Sequence, residues 1–334
     1  MTMMKHLLGA AAVLALTAGV ASAEPALIYD MGGKFDKSFN EAAYEGAERW
    51  AKETGGSYKE IEIQQEAQRA QALQRLAESG ANPIVTTGFA IGDTIPSVAT
   101  QFPDTKFVTI DGWVDPEAHP NVLSIGFAEH EGSYLVGMLA AMASKTGTVS
   151  FVGGMDIPLI RKFGCGYAQG AVAVNPDIKF ISNMTGTTPA AWNDPVKGSE
   201  LARAQKSQGS DVIFAAAGGT GLGVLQTAAD EGILSIGVDS NQNHLHPGSV
   251  LTSMLKRVDV AVFNSMTQGA DLDTTPQALN LANEGVGYAL DEHNAALVTD
   301  EMKTAVDAAA EKIKSGELVV HDYTSDDTCP AATF

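Results

Sequence analysis

The sequence predicts an α/β protein made of two doubly wound parallel-sheet lobes with a ligand cleft between them. Short apolar extended runs alternate with amphipathic helical stretches, the 334 residues are too many for one typical domain, and 45% of them are apolar. Alternating strands and helices indicate parallel sheets that are covered on both faces. Ligands of such sheets lie outside the carboxyl ends of the strands.

The order of these elements divides the chain into two sets. We predict strands at 26–29, 58–63, 83–87, 106–110, 122–127, 148–152, 178–182, 212–215, 235–238, 250–253, 285–289 and 318–321. Apolar residues at three-to-four spacing predict helices at 39–53, 68–78, 134–144, 196–207, 222–230, 258–268 and 300–315.

No long Pro- or Ser-rich linker separates the two sets, which favours lobes joined by short crossing strands. We expect a first lobe of residues 24–128 and 255–284, and a second lobe of residues 129–254 and 285–334.

The first 23 residues have the pattern of a secretory signal peptide. Lys5 and His6 form a short basic region, 7–20 is nearly all apolar, and 21–23 is a small-residue cleavage site. The apolar run is shorter than the about 20 residues that a membrane-spanning helix needs. We therefore expect cleavage after Ala23 and a periplasmic protein. Because no Cys lies near the cleavage site, we expect no lipid anchor.

Net charge and cysteine content limit the kinds of binding partner and covalent cross-link that the protein can have. A formal net charge of −19 disfavours binding to nucleic acid or to an anionic membrane. The two cysteines, Cys165 and Cys329, would lie in a compartment that permits disulfides. A Cys165–Cys329 bond and two buried free thiols both remain open. The acid-rich segment 322–327 is expected to be a solvated tail.

A Gly-containing loop follows the first predicted strand and enters a helix. It runs from Asp30 to Asn40, and Ser38 or Asp36 would cap the helix. The loop brings a carboxylate, an amide and the ring of Phe39 to the cleft end of the sheet. That mixture suits a ligand with a flat apolar face and hydroxyl groups. An ordinary capped turn with a core Phe is the alternative interpretation.

The same loop carries a resemblance to a known family. The stretch MGGKFDKSFNEAAYEGAERW resembles the opening signature of the basic membrane protein family, the purine-nucleoside-receptor-like substrate-binding proteins of ABC importers. Further similar motifs follow in the order of the family: TIDG at 109–112, FVGGMDIP at 151–158, WNDPVKG at 192–198, AAAGGTGLGV at 215–224, GVDSNQ at 237–242 and TSMLKRVDVAV at 252–262. The resemblance implies a type I periplasmic-binding-protein fold.

The resemblance also implies roles for residues at the cleft. Phe39 would lie against one face of a purine and Trp192, where relatives commonly carry Phe, against the other. Asn40, with Asp30 nearby, would bond to the base or the ribose.

Three charged residues complete the implied site. Asp111, Asp239 and Lys256 would hold ribose hydroxyls and the base edge. From the sequence, Asp239 follows a predicted strand and thus emerges at the carboxyl end of a parallel sheet. An ion pair between Asp239 and Lys256 at the hinge is the structural alternative.

Other motifs point less clearly to chemistry. The Gly-rich turn 218–223 does not have the GxGxxG spacing of a dinucleotide site. Gly219 in this turn is expected to approach the ligand closely, with the helix N-terminus bonding a ligand oxygen. His244 and His246 with Asp239 fit no specific metal pattern, and no nucleophile elbow is present. We expect no cofactor, no metal and no catalytic residue.

The predicted function is therefore that of a receptor. We expect a monomer that closes on one small solute, most readily a purine nucleoside, and delivers it to an ABC permease in the inner membrane. Riboflavin, a sugar or another heteroaromatic solute are alternative ligands. A sensory receptor, and more remotely an oxidoreductase or nucleoside-processing enzyme, are alternative functions.

Overall fold

The computed structural model describes residues 23–334, and the predicted signal segment up to residue 22 lies outside these residues. Within 23–334, none of the helices combines the length and the apolar character that crossing a bilayer requires.

The strands of residues 23–334 form two six-stranded sheets. They are β1 (Ala26–Tyr29), β2 (Lys59–Glu62), β3 (Ile84–Thr87), β4 (Phe107–Ile110), β5 (Val122–Phe127), β6 (Thr148–Met155), β7 (Lys179–Gly186), β8 (Val212–Ala216), β9 (Leu234–Asp239), β10 (Val250–Lys256), β11 (Gln277–Leu279) and β12 (Val286–Tyr288). The first sheet has the order β11-β5-β4-β3-β1-β2, and the second has the order β12-β10-β9-β8-β6-β7. Neighbouring strands in these two sheets are parallel, except that β10 and β12 are antiparallel. The predicted fold class is confirmed.

Helices connect most successive strands and cover the sheets. They are α1 (Phe39–Thr54), α2 (Gln68–Glu78), α3 (Ile95–Ala99), α4 (Glu129–Ala143), α5 (Pro158–Val174), α6 (Pro195–Ser207), α7 (Thr220–Asp230), α8 (Val258–Gln268) and α9 (Asp300–Lys314). All residues of β1, β3, β4 and β8 are buried, as expected for strands that are covered on both faces.

The chain crosses between the two sheets after β5, after β10 and after β11. Hydrogen bonds tie these crossings together: Ala128 N donates to Leu279 O at 2.7 Å, and Arg257 N donates to Gly285 O at 2.9 Å. Beyond the second crossing, α8 packs on α1 and β11 pairs with β5 of the first sheet. We propose on this basis that the lobes comprise 24–128 with 255–284, and 129–254 with 285–334.

Helix α5 was not predicted, because its three glycines have low helix propensity. The structure shows why small residues are present. A Cβ at Gly170 would lie 1.9 Å from the carbonyl oxygen of Tyr134 on α4. A Cβ at Gly137 of α4 would likewise lie 2.1 Å from the carbonyl oxygen of Tyr167. The two helices therefore touch backbone to backbone.

The predicted strand at 318–321 is wrong. The backbone of His321 bonds to a side chain instead of a neighbouring strand: its N donates to Gln169 Oε1 at 2.9 Å, and its O accepts from Gln169 Nε2 at 3.0 Å. Both hydrogen-bonding groups that a strand would use are thereby occupied.

The C-terminal segment is attached to the second lobe. Cys165 of α5 and Cys329 form a disulfide, with their Cα atoms 5.7 Å apart. The expectation of a solvated tail is wrong at its start, because the carboxylate of Asp322 lies 3.5 Å from Lys162 Nζ and Tyr323 is buried. The tail thus packs against the helix that carries Cys165.

Candidate functional site

Loops at the carboxyl ends of strands from both sheets enclose a cleft. Its empty volume, including the open mouth, is about 660 Å³. The predicted residues that line it are Asp30, Phe39, Asn40, Asp111, Trp192, Asp239 and Lys256. Gly219 does not line the cleft, whereas the neighbouring Gly218 does. Gly219 instead precedes α7, and a Cβ there would lie 3.3 Å from the carbonyl oxygen of Trp192.

Asp36, and not Ser38, caps the helix that carries Phe39. Asp36 Oδ1 accepts from the backbone N of Ser38 at 2.8 Å and of Glu41 at 3.1 Å, and Oδ2 accepts from Asn40 N at 3.1 Å. A side chain that satisfies the free N–H groups of a helix start stabilises that start. The first turn of α1 is therefore fixed, and Phe39 is held at the cleft wall.

The amide of Asn40 is used mainly to shape the loop. Its Nδ2 donates to the carbonyl oxygens of Asp30 at 3.1 Å and Gly33 at 3.2 Å, and its Oδ1 accepts from Thr87 Oγ1 at 2.9 Å. Both N–H donors are occupied, so Asn40 can offer a ligand only the second lone pair of Oδ1.

Asp30 is paired inside the first lobe. Arg69 donates to Asp30 Oδ1 from Nε at 3.0 Å and from Nη2 at 2.9 Å, and Nη2 also lies 3.0 Å from Oδ2. Both residues are buried. The pair neutralises Asp30 and leaves its carboxylate with limited room for further hydrogen bonds.

Lys256 lies at the end of β10 between two carboxylates. Its Nζ is 2.6 Å from Asp111 Oδ2 and 2.9 Å from Glu129 Oε1. Burial alone would lower the pKa of Lys256, but these carboxylates hold it above its ordinary value. The second oxygen of Asp111, Oδ1, is buried without a hydrogen-bond partner. Because Asp111 lines the cleft, Oδ1 is an acceptor on the cleft wall whose hydrogen-bonding capacity is unused.

Asp239 does not form the ion pair with Lys256 that was the structural alternative. It accepts from Ser38 Oγ of the first lobe at 2.5 Å, and burial raises its pKa to about 6. The same loop adds a bond from Ser240 Oγ to Ser38 O at 2.9 Å. Gln242 Nε2 donates to Lys37 O at 2.8 Å. These bonds join the lobes at one side of the cleft.

Asp111 and Asp239 occupy equivalent positions in the two sheets. Each follows or ends a strand in the middle of its sheet, and each has a left-handed backbone, with φ of 70° and 62°. Such a conformation is costly for a residue with a side chain, although Asp tolerates it better than most. Strain of this kind is found mainly where a side chain must be held in one direction for function.

Aromatic and apolar side chains form the rest of the wall. Phe39 and Phe89 come from the first lobe, and Phe163 and Trp192 from the second. The ring of Trp192 packs against β6 at Gly154, where a Cβ would be 2.1 Å from Trp192 Cζ3. The cleft therefore combines apolar rings with a small number of buried charges, as ligand sites commonly do.

Sequence reasoning missed Glu129, Phe89 and Phe163. Phe89 and Glu129 follow the ends of β3 and β5, so the rule that singled out Asp239 applies to both. Phe163 stands on α5, which was not predicted.

Within residues 23–334, the side chains close enough to share a metal ion are Asp291, Glu292 and His293 on a surface turn. This group does not contain Asp239, His244 or His246.

Comparison with known proteins identifies the family. A family model described as "ABC transporter substrate-binding protein PnrA-like" matches residues 25–323. The CD4+ T-cell-stimulating antigen of Listeria monocytogenes is 33% identical, covering 88% of this chain and 87% of the relative. The ABC transporter nucleoside-binding protein BmpA of Lactococcus lactis is 31% identical, covering 88% of each chain.

Solved structures agree with this relationship. An ABC transporter solute-binding protein of Aeropyrum pernix superposes with a TM-score of 0.81 at 26% identity, covering 91% of this chain and 95% of the other. One from Conexibacter woesei gives 0.73 at 25% identity, covering 90% and 99%. The fold is that of the type I periplasmic solute-binding proteins, and the protein is a solute receptor, not an enzyme. The chain belongs to the Bmp family of PnrA-like ABC transporter substrate-binding proteins.

Proposed function

We propose that this protein binds a purine nucleoside between its lobes and delivers it to the permease of an ABC importer. The observation that carries the proposal is a cleft lined both by the rings of Phe39 and Trp192 and by the carboxylates of Asp111 and Asp239, whose side chains are buried. A ring surface suits a heteroaromatic base, and ionised carboxylates accept hydrogen bonds from hydroxyls more strongly than neutral groups do. The name of the Lactococcus lactis relative supports the same class of ligand.

Each side chain has a proposed role. Phe39 and Trp192 would stack on opposite faces of the base. The free lone pair of Asn40 Oδ1 and the carboxylate of Asp30 would contact the base edge. Asp111 Oδ1, Asp239 and Lys256 would bind the two ribose hydroxyls.

Charge discriminates nucleosides from nucleotides in this proposal. The carboxylates of Asp111, Asp239 and Glu129 surround the ammonium of Lys256, and the ammonium of Lys162 lies on the other side of Glu129. A phosphate group would meet more negative than positive charge at short range, where buried charges are weakly screened. A neutral solute rich in hydroxyl donors fits this environment better.

Closure would couple binding to transport. The bonds of Ser38 with Asp239 and Ser240, and of Lys37 with Gln242, connect the lobes across the cleft. A solute that touches both lobes binds the closed form more tightly and shifts the population towards it. We propose that the closed monomer, in the periplasm, is the form that the permease recognises.

The ligand can be identified directly. The protein is purified under native conditions and then denatured, which releases any bound solute. We expect mass spectrometry to identify this solute as a purine nucleoside. Release of riboflavin or of a sugar would replace the proposed ligand class. Free base and ribose appearing on incubation with a nucleoside would contradict the receptor function.

A further inference from the structure

A row of alternating charges leads away from the cleft. From Asp111 it passes to Lys256 at 2.6 Å, then to Glu129 at 2.9 Å, to Lys162 at 2.9 Å and to Asp322 at 3.5 Å. The row begins at a side chain of the cleft wall and ends on the C-terminal segment. Positive and negative groups alternate along it without a break.

Glu129 is the central member of this row. It is the first residue of α4, directly after the first crossing between the lobes, and its side chain is 1% exposed. Oε1 faces Lys256 Nζ and Oε2 faces Lys162 Nζ, each at 2.9 Å. Glu129 does not line the cleft, so any effect on a solute must pass through Lys256.

The two lysines need this carboxylate to remain charged and in place. Both ammonium groups are buried, and without Glu129 they would repel each other in a region of low polarity. Lys162 has other partners, the carbonyl oxygen of Phe127 at 2.7 Å and Asp322. Lys256 has Asp111 as its other ion-pair partner, and three rings have their centroids 4.9 to 5.5 Å away. Loss of Glu129 would therefore leave Lys256 drawn towards Asp111 alone.

We infer that Glu129 is a positioning residue of the binding site: it holds the ammonium of Lys256 at Asp111 Oδ2 on the cleft wall, so that Asp111 Oδ1 stays free to accept from a solute hydroxyl. The row of contacts and the unpartnered Asp111 Oδ1 carry this inference. The two lysines also keep the pKa of Glu129 below its usual value, although its burial acts in the opposite direction. The choice of a nucleoside as probe rests on the proposed function.

The test uses Glu129→Gln, Lys162→Met and the double variant, each titrated calorimetrically with adenosine and 2′,3′-dideoxyadenosine. We expect Glu129→Gln to weaken adenosine about tenfold to a hundredfold, the range for a hydrogen bond to a charged group, and to change the dideoxy affinity by less than about threefold. The double variant removes one charge of each sign. Compared with Glu129→Gln, it should therefore be more stable to heat, but its affinity for adenosine should stay low. If the double variant recovered both thermal stability and adenosine affinity, Glu129 would have only a structural role. The same would follow if Glu129→Gln lowered the affinities for adenosine and 2′,3′-dideoxyadenosine equally.

A second measurement is independent of the ligand. Lysine ammonium signals in ¹⁵N-labelled protein, assigned with Lys256→Met and Lys162→Met, report on each ion pair. We expect Glu129→Gln to shift the Lys256 signal, and the exposed control Glu301→Gln to leave it unchanged. An unmoved Lys256 signal would overturn the inference. If wild type has no affinity for adenosine, the nucleoside proposal fails. The Lys256 signal then still tests whether Glu129 positions the Lys256 ammonium.

Discussion

Lys256 Nζ lies 2.6 Å from Asp111 Oδ2 and so joins the end of β10 in the second sheet to the loop after β4 in the first. The side chains are only 2% and 6% exposed. The ion pair therefore connects the two lobes beside the cleft, at the level of the second crossing. Its removal should affect both stability and binding.

We predict that Lys256→Met lowers the free energy of unfolding by about 3–5 kcal/mol, because it leaves the buried carboxylate of Asp111 without an ion-pair partner and leaves Glu129 with Lys162 alone. Urea unfolding checks this. The matched control is Lys206→Met, which removes an ion pair of the same 2.6 Å length whose side chains are each 37% exposed. Because exposed ion pairs contribute little to stability, that change should cost far less than Lys256→Met. Equal losses for the two variants would show that burial does not decide the cost.

Affinity for the nucleoside should fall as the pH is lowered through 6. Burial raises the pKa of Asp239 to about 6, so the ionised acceptor is present at pH 7.5 and largely protonated at pH 5. Calorimetry across this range should show the fall in wild type and a smaller one in Asp239→Asn. Burial also raises the pKa of Asp36 to about 7, and the charge of Asp239 adds to that rise, so Asp239→Asn should move the Asp36 titration to lower pH as well as removing the Asp239 step. Parallel pH profiles would exclude Asp239 as the titrating acceptor.

The raised pKa of Asp239 affects folding stability in the direction opposite to its effect on affinity. Because the folded pKa of Asp239 is above that of the unfolded chain, the folded protein retains a proton that the unfolded chain releases between about pH 4 and 6. This contribution to stability is present below that window and is lost as the pH rises through it. Asp239→Asn should not show this component of the pH dependence.

Base stacking predicts a further pair of results. Phe39→Ala should weaken nucleoside binding by about 1–3 kcal/mol, a range taken from aromatic stacking of nucleic-acid bases. Tryptophan fluorescence should respond to nucleoside and not to free ribose. Trp192→Phe, which keeps a ring at this position, should remove the response and separate it from those of Trp50 and Trp113. Equal responses to nucleoside and ribose would contradict stacking.

The disulfide should stabilise the second lobe. Replacing Cys165 and Cys329 with Ser should lower the free energy of unfolding by about 2–5 kcal/mol, as is typical for loss of a native disulfide. Denaturant unfolding of wild type with reductant should give the same loss. The doubly substituted protein is the control, because reductant should not affect it. Unchanged stability of wild type in reductant would show that this bond contributes nothing.

Period and strand-end position predicted much of this architecture. Asp239 and Asp111 lie in the cleft because parallel strands in the middle of a sheet present their carboxyl ends at one edge. Glu129 occupies a similar position after β5, but it begins a helix and its two lysine partners are 33 and 127 residues away in the chain, so spacing gives no sign of its role. Helix α5 was hidden by glycines that serve its close contact with α4.

Hydrogen bonds between residues far apart in the chain explain why the sequence did not predict the surroundings of other site residues. Asn40 and Asp30 were assigned to the ligand by resemblance, yet Thr87 and Arg69, 47 and 39 residues away, occupy most of their hydrogen-bonding capacity. Local sequence cannot show such partners. Trp192 was found through the resemblance alone, because a short 3-10 turn, Pro189–Trp192, and not a strand end carries it into the cleft.

The central claim is that buried carboxylates of the cleft bind the hydroxyls of a nucleoside, and one calorimetric cycle tests it most directly. Adenosine and 2′,3′-dideoxyadenosine are titrated into wild type and Asp239→Asn. Loss of a charge-assisted acceptor should cost about 1.5–3 kcal/mol of adenosine affinity, while the dideoxy compound should bind wild type poorly and be nearly insensitive to the substitution. A dideoxy ligand that loses as much affinity as adenosine on substitution would contradict the account.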